Sequence, residues 1–278
     1  LTVRSYALGL NLRLDDDLSI YVKSSKSFRT RTKQLRNVGM IGSVDMSFGD
    51  RAQVRLEHEA GIRAQFLDGL LAVNYAGYFN RLQSFQAVTT LTTPTGARIS
   101  NFINPSSLRN MGLEADMTIR PGLGLALYGS IASNREKYKH CAAGMCPAHS
   151  RDIIQTQFNI GANYERDIAA GRLAFNINYN WTGRAHFSSD SIAITGTIPG
   201  LNDASARARF QRALSRRSVA TLDARLGLTM ANSSFEVFVY GRNLADQRYI
   251  QHRRLGSDLD GSIWNSPRTV GAGVNMVF

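Results

Sequence analysis

Apolar residues in this chain recur at every second position, in one segment after another, and that period decides what it can fold into. In 172–181 (RLAFNINYNW), Leu173, Phe175, Ile177, Tyr179 and Trp181 share one side. Arg172, Ala174, Asn176, Asn178 and Asn180 share the other. In 156–164 (TQFNIGANY), Phe158, Ile160, Ala162 and Tyr164 oppose Gln157, Asn159, Gly161 and Asn163. A helix sends positions two apart to opposite sides, whereas an extended chain keeps them together. Segment 113–120 repeats the pattern, with Leu113, Ala115, Met117 and Ile119 against Glu114, Asp116, Thr118 and Arg120. Segment 6–14 does so with Tyr6, Leu8, Leu10, Leu12 and Leu14 against Ala7, Gly9, Asn11 and Arg13. Strands also fit at 18–28, 53–66, 70–80, 123–133, 219–229, 234–243 and 269–278, which makes eleven in all. Most approach the ~9–11 residues that a tilted strand needs to cross a bilayer.

The connections alternate too. Asp15–Asp17, Asp68–Gly69, Pro121–Gly122, Arg166 to Gly171 and Ala231 to Ser234 carry the Gly, Pro, Asn and Asp content of tight turns. Between them lie long connections at 29–51, 82–109, 135–152, 184–217 and 245–267. A soluble sandwich has no reason to keep every second loop long, whereas an outer-membrane barrel has short periplasmic turns and long extracellular loops. No fixed repeat marks a propeller. The fold class expected is all-β: an antiparallel transmembrane barrel wall of about eleven strands.

Composition is neutral on this point. A hydrophobic fraction of 43% and a mean hydropathy of −0.21 resemble those of a soluble protein, and no apolar run of about 18 residues is present. Barrel strands escape such averages because lipid-facing and lumen-facing residues cancel. The net charge of +12, from 33 Lys and Arg against 21 acids, suits either nucleic acid or the phosphate-rich outer leaflet of a Gram-negative cell. No recognition fold accompanies the charge, so no nucleic-acid partner is expected.

The C-terminal segments are the most distinctive. Residues 235–249 read FEVFVYGRNLADQRY, and the chain runs through Pro267-Arg268 to VGAGVNMVF, ending on Phe278. In the last segment Val270, Ala272, Val274, Met276 and Phe278 share a side. The Asn243-Leu244-x-Asp246-x-x-Tyr249 element and the terminal Phe resemble the C-terminus of TonB-dependent outer-membrane receptors. Two further stretches are similar to that family. One is 98–138, with Gly112 and Glu114 opening a strand and Pro121 to Leu123 making a turn; the other is the early DDLSIYVKSSKSFR.

The resemblance implies a barrel of twenty-two strands around an N-terminal plug, of which residues 1–278 would be the C-terminal portion, strands twelve to twenty-two. The plug, its energy-coupling TonB box and the first half of the wall would lie outside this sequence, which begins at Leu1 without a signal peptide. Such a piece would expose two unpaired strand edges, each unsatisfied group costing several kcal/mol in lipid, and is not expected to close alone. A C-terminus in the periplasm places every long loop outside the cell and every tight turn inside. The implied function is energy-coupled import of a scarce ligand through the outer membrane, a ferric siderophore first, cobalamin or an oligosaccharide otherwise. The implied partners are outer-membrane lipid and lipopolysaccharide, the TonB–ExbB–ExbD complex acting through the plug, the barrel-assembly machinery and the small-molecule ligand. The assembly signal would be Val274, Met276 and Phe278. A passive porin or structural barrel would share the alternation and loops.

Candidate site residues sit in the loops. Arg207, Arg209, Arg212, Arg216 and Arg217, with Tyr249, His252, Arg253, Arg254 and Trp264 on the next loop, form a candidate set for capturing an acidic ligand by Arg forks. Solvated loop surface and lipopolysaccharide contacts are the plainer reading of the same charges. Cys141 and Cys146 fall in one loop of an oxidising compartment, which favours a disulfide; a Cys2His2 site with His140 and His149, or free thiols, are the alternatives, and no metal or cofactor is expected. Tyr78, Phe79, Trp181, Phe187, Tyr240 and Tyr249 are read as interfacial girdle residues, with stacking on a sugar or siderophore ring as the alternative role. Arg55, Glu57, Glu59, Arg63, Glu114, Asp116, Asp223, Arg225 and Glu236 are expected to face inward. Glu57 and Glu59 lie about 7 Å apart by strand geometry, but Arg55 and Arg63 on the same face favour ion pairing over acid–base chemistry. No Ser-His or Gly-x-Ser-x-Gly element is present, so no enzyme is expected.

Overall fold

The computed structural model describes residues 4–29, 33–37, 43–47, 52–92, 98–139, 154–187, 215–231, 235–255 and 260–276. In chain order the strands are β1 (Tyr6–Arg13), β2 (Leu18–Arg29), β3 (Lys33–Asn37), β4 (Ser43–Ser47), β5 (Gln53–Phe66), β6 (Leu71–Thr92), β7 (Arg98–Gly122), β8 (Leu125–Lys139), β9 (Thr156–Ile168), β10 (Gly171–Thr182), β11 (Ala185–His186), β12 (Ser215–Arg216), β13 (Val219–Met230), β14 (Phe235–Arg242), β15 (Ile250–Leu255), β16 (Asp260–Trp264) and β17 (Thr269–Met276). Eleven of them form one antiparallel sheet in the order β1-β2-β5-β6-β7-β8-β9-β10-β13-β14-β17, with β1 and β17 at its edges. These are the eleven expected strands, and the sheet is open. No helix among the described residues is long and apolar enough to cross a membrane.

The long connections differ from the expectation in one respect. Three carry small hairpins of their own: β3–β4, β11–β12 and β15–β16. The stretch 82–109 is not a loop. After register shifts between Leu82, Phe85 and Ala87, β6 and β7 stay paired out to Thr92↔Arg98. Ser84 takes a left-handed φ of 54° at the irregularity, and the β-branched residues beyond it (Val88, Thr89, Thr90 and Thr92) favour continued pairing. The β7–β8 turn also lies two residues later than expected. Its central residues are Leu123 and Gly124, with φ of 53° and 78°, the positive pair that a two-residue primed hairpin requires.

Antiparallel register makes opposite residues share a face, so the pairings sort the sheet into two surfaces. One row runs Leu10↔Val22, then Ile62↔Tyr75, Tyr75↔Ala115 and Ala115↔Ile131. Further along the same face Phe175 opposes Tyr164 and Leu226, and Val239 opposes Ala272. These apolar side chains are uncovered: Leu10 is 69% exposed and Val270 70%. Among the described residues the few buried apolar ones are small or peripheral (Ala52, Ala64, Ala185, Phe187), so the described sheet is one layer without a core of its own. An apolar surface this continuous has hydrocarbon as its natural solvent.

The other face is polar, and its bulky members are seated on glycines. Tyr21 lies directly opposite Gly61, Tyr78 opposite Gly112, Tyr128 opposite Gly161 and Tyr240 opposite Gly271. In each pair a Cβ on the glycine would run into the tyrosine ring. The absent side chain lets the ring lie flat across the neighbouring strand, which excludes water from the backbone and pins the register. Tyr78 and Tyr240 therefore face inward and are not girdle residues, and Phe187 is buried at 3% exposure. Phe79, opposite His58 and Met111, and Trp181, stacked on Phe158 at 5.2 Å, do lie on the apolar face.

Gly161→Val should displace the Tyr128 ring and lower stability by about 1–3 kcal/mol, measured by urea unfolding in lipid vesicles. Adding Tyr128→Ala should produce little further loss, whereas additive losses would show that the two do not act as a pair.

Candidate functional site

The inward face holds every residue the sequence assigned to it: Arg55, Glu57, Glu59 and Arg63 on β5, Glu114 and Asp116 on β7, Asp223 and Arg225 on β13, and Glu236 on β14. Several of these carboxylates have partners. Arg55 Nη2 stands 2.6 Å from Glu57 Oε1, and Lys23 Nζ 3.3 Å from Glu59 Oε1. Tyr21 donates to Glu59 at 2.7 Å and Ser25 to Glu57 at 3.1 Å. Glu236 accepts from Arg225 at 2.7 Å and Asn275 at 2.8 Å, while Asp116 accepts from Asn74 at 2.6 Å. Carboxylates held this way are weak candidates for proton transfer, in keeping with ion pairing over catalysis.

Sequence reading passed over a second inward cluster. Asn159 donates to Asn178 and Asn180 at 2.5 and 2.6 Å, and Asn176 to Asn163 at 2.6 Å and to the Tyr128 hydroxyl at 3.3 Å. Its signal was already in FNINYN, where Asn recurs at every second position opposite the apolar stripe. A third feature is a depression of about 400 Å³ toward the long-loop end, lined by Ser27, Arg55, Asn80, Leu108, Asn110 and Glu136 among others. It mixes both charges with amide groups, which suits a polar ligand or a polar protein surface.

Of the candidate ligand residues, Arg216 and Tyr249 come together. The Arg216 guanidinium lies 5.3 Å from the centroid of the Tyr249 ring. It donates to Thr182 Oγ1 at 3.1 Å and to the carbonyls of Arg217 and Gly183 at 3.2 and 3.4 Å. Burial pushes its pKa down from the ordinary value and the neighbouring Tyr249 pushes it up; an Arg stays charged throughout. With these donors spent on the chain, Arg216 ties the end of β10 to the loop that carries Tyr249. Tyr249 is fixed from behind, its N–H donating to Asn265 Oδ1 at 2.8 Å, and its ring faces the Arg216 guanidinium. Arg217 and Trp264 are exposed, Trp264 at 59%. His252 and Arg253 are half-buried, each with a partner inside the protein. Arg207, Arg209 and Arg212, the side chain of Arg254, Cys141, Cys146, His140, His149 and Phe278 lie outside the described residues. Val274 and Met276 project from the apolar face of β17.

The model of a family described as TonB dependent receptor-like, beta-barrel matches residues 2–244. The chain belongs to that family. No curated protein matches it by sequence. Among solved structures it is similar to the ferric yersiniabactin uptake receptor FyuA of Yersinia pestis, with a TM-score of 0.69 and 17% identity over 96% of this chain and 36% of that one. The FrpB iron transporter of Neisseria meningitidis gives 0.65 and 16%, over 98% and 39%. BauA, the ferric preacinetobactin receptor of Acinetobacter baumannii, gives 0.61 and 17%, over 96% and 35%. The chain thus spans little more than a third of the length of these receptors. The family is one of outer-membrane transport receptors rather than enzymes.

The TonB-dependent receptor element at 243–249 is a structural knot. Asn243 is 6% exposed and sits at φ 49°, a left-handed turn that Asn tolerates better than most residues. Its amide donates to the carbonyls of Gln247 at 2.9 Å and Ser266 at 3.1 Å, and its Oδ1 accepts from the Gln247 N–H at 2.9 Å. Its own N–H donates to Asp223 at 2.7 Å. Leu244 covers Gly241, and Asp246 accepts from the Arg268 N–H at 3.0 Å. Asn265 closes the other side, donating to the Gln247 carbonyl at 2.7 Å. The element thus fixes where β14 ends, where β17 begins, and how the hairpin between them rises.

Asn243→Ala in the full receptor should cost about 2–4 kcal/mol by leaving several buried groups unpaired. Asn243→Gly should cost nearly as much despite suiting the positive φ. Limited proteolysis should then cut within 245–267 first, and a Gly variant as stable as the parent would assign the role to φ alone.

Proposed function

We propose that this chain forms part of the wall and mouth of an outer-membrane receptor that imports a scarce ligand, a ferric siderophore being the best fit, with energy supplied through TonB, ExbB and ExbD acting on a plug. The observation that carries this reading is the pairing of one continuous apolar face with an inner face of charged, hydrogen-bonded residues. Such an inner face needs water or a polar protein domain against it. The iron and ferric-siderophore receptors among the structural neighbours support the choice of ligand class.

In this reading the hairpins beyond the sheet form the extracellular mouth. Arg216 and Tyr249 brace it, and Arg217 and Trp264 offer a cation and an aromatic surface to an acidic, ring-bearing ligand. Arg207, Arg209, Arg212, His252, Arg253 and Arg254 belong to the same basic region of sequence. Cys141 and Cys146 form a loop disulfide. Val274, Met276 and Phe278 serve as the signal read during barrel assembly, and lipopolysaccharide surrounds the wall.

The test uses the full-length receptor in a host lacking its other iron receptors. Uptake of radiolabelled ferric siderophore should stop when the proton gradient is collapsed. Arg217→Ala with Trp264→Ala should weaken ligand binding about tenfold or more at unchanged receptor level. Uptake that persists without the proton gradient would favour a passive pore and overturn the energy-coupled reading.

A further inference from the structure

The apolar face is not apolar to its end. Lys26 on β2, Arg81 on β6, Arg109 on β7 and Lys137 on β8 all project from it, at one level. The register fixes this: Lys26 opposes Leu56, Leu56 opposes Arg81, Arg81 opposes Arg109, and Arg109 opposes Lys137. Arg135 and Lys139, two residues either side of Lys137, point the same way, opposite Met111 and Ser107. Six cations thus occupy one patch across four strands. No carboxylate occurs on the described part of this face between β1 and β9, because Glu57, Glu59, Glu114, Asp116 and Glu136 all point the other way.

Like charges directly opposite each other destabilise a sheet, and this row places Arg81, Arg109 and Lys137 opposite one another on adjacent strands. None of the six has an ion pair or side-chain hydrogen bond among the described residues, and the buried Nε atoms of Arg81 and Arg109 have no acceptor. Among the described residues no anion balances this patch.

Its height says which anion would. Ten residues separate Leu71 from Arg81, Arg109 from Ile119 and Leu127 from Lys137, all counted from the tight-turn end. At about 3.4 Å per residue and a tilt of roughly 35–45°, that is a rise of about 24–28 Å, matching an apolar band about 25 Å tall. Phe79 and Met111 lie two residues below the row on the same face, and Ile131 six residues below it. The row stands where acyl chains give way to headgroups.

We propose that Arg81, Arg109 and Lys137, with Lys26, Arg135 and Lys139 at the margins, form a binding site for the phosphates of lipid A in the outer leaflet, its acyl chains lying along Phe79, Met111 and Ile131. The guanidinium forks match phosphate oxygens in geometry and charge. The proposal rests on the reading that the tight turns face the periplasm, and it places lipopolysaccharide contacts on the strands rather than only in the loops.

The experiment extracts the full-length receptor from outer membranes in mild detergent, confirms folding by its heat-dependent gel shift, and measures retained lipid A per receptor. Arg81→Gln with Arg109→Gln should lower retention at least about tenfold. Arg120→Gln with Arg166→Gln, an equal charge loss at the tight-turn end, should leave it unchanged. Independently of any variant, delipidated receptor should bind bisphosphorylated lipid A at least about tenfold more tightly than its dephosphorylated form, and millimolar inorganic phosphate should not displace it. Equal retention by the Arg81/Arg109 variant, or equal binding of the dephosphorylated lipid, would overturn the site. Displacement by inorganic phosphate alone would assign it to a free anion instead. Import enters none of these readouts, so a failed lipid site leaves the import reading standing, and a receptor that failed to import could still retain lipid.

Discussion

The bilayer interior offers no water, so every backbone N–H and C=O that enters it must find a partner within the protein. The rest of the molecule follows from that constraint. A helix meets it within one segment, but this chain has no apolar run long enough to cross as a helix. Strands meet it only by pairing with neighbours, and eleven strands pair here in a continuous antiparallel ladder. Once the ladder carries the polar backbone, the side chains are free to differ on the two faces. Below the basic row, Leu, Ile, Val and aromatic residues project to one side; Asn, Glu, the paired Arg residues and glycine-seated Tyr project to the other.

The inner face is held together by short-range chemistry. Ion pairs such as Arg225–Glu236, the amide field around Asn178 and the tyrosines lying over Gly61, Gly112, Gly161 and Gly271 each join neighbouring strands. None of these contacts buries a large apolar area. Their effect is to fix register, and a slip of one residue would turn every apolar side chain inward and every charge into lipid. The knot at Asn243 does the same for the end of the wall, setting where the strand stops and the mouth begins.

Much of this was legible in the sequence because a two-residue period survives in every spanning segment, and 172–181 alone excludes a helix. What was not legible depends on partners across the sheet. Tyr78 and Tyr240 look like girdle residues along their own strands, and only pairing with Gly112 and Gly271 shows them facing inward. The stretch 82–109 reads as a loop because its alternation breaks at the irregularity near Ser84, after which pairing resumes. Arg216 reads as a ligand fork, and only the positions of Thr182, Gly183 and Tyr249 show it as a brace. The basic row through Arg81, Arg109 and Lys137 is scattered over 57 positions of sequence and becomes one patch only through register.

The central claim is that the two faces of each strand meet different solvents. Spin labels placed singly at 173–180 in the full-length receptor, reconstituted in liposomes, test it directly. Labels at Leu173, Phe175, Ile177 and Tyr179 should be relaxed strongly by oxygen, which partitions into lipid. Labels at Ala174, Asn176, Asn178 and Asn180 should be relaxed weakly by oxygen and more strongly by a water-soluble nickel chelate. A period of two in the ratio supports the account; a flat profile, or one with the phase reversed, would contradict it.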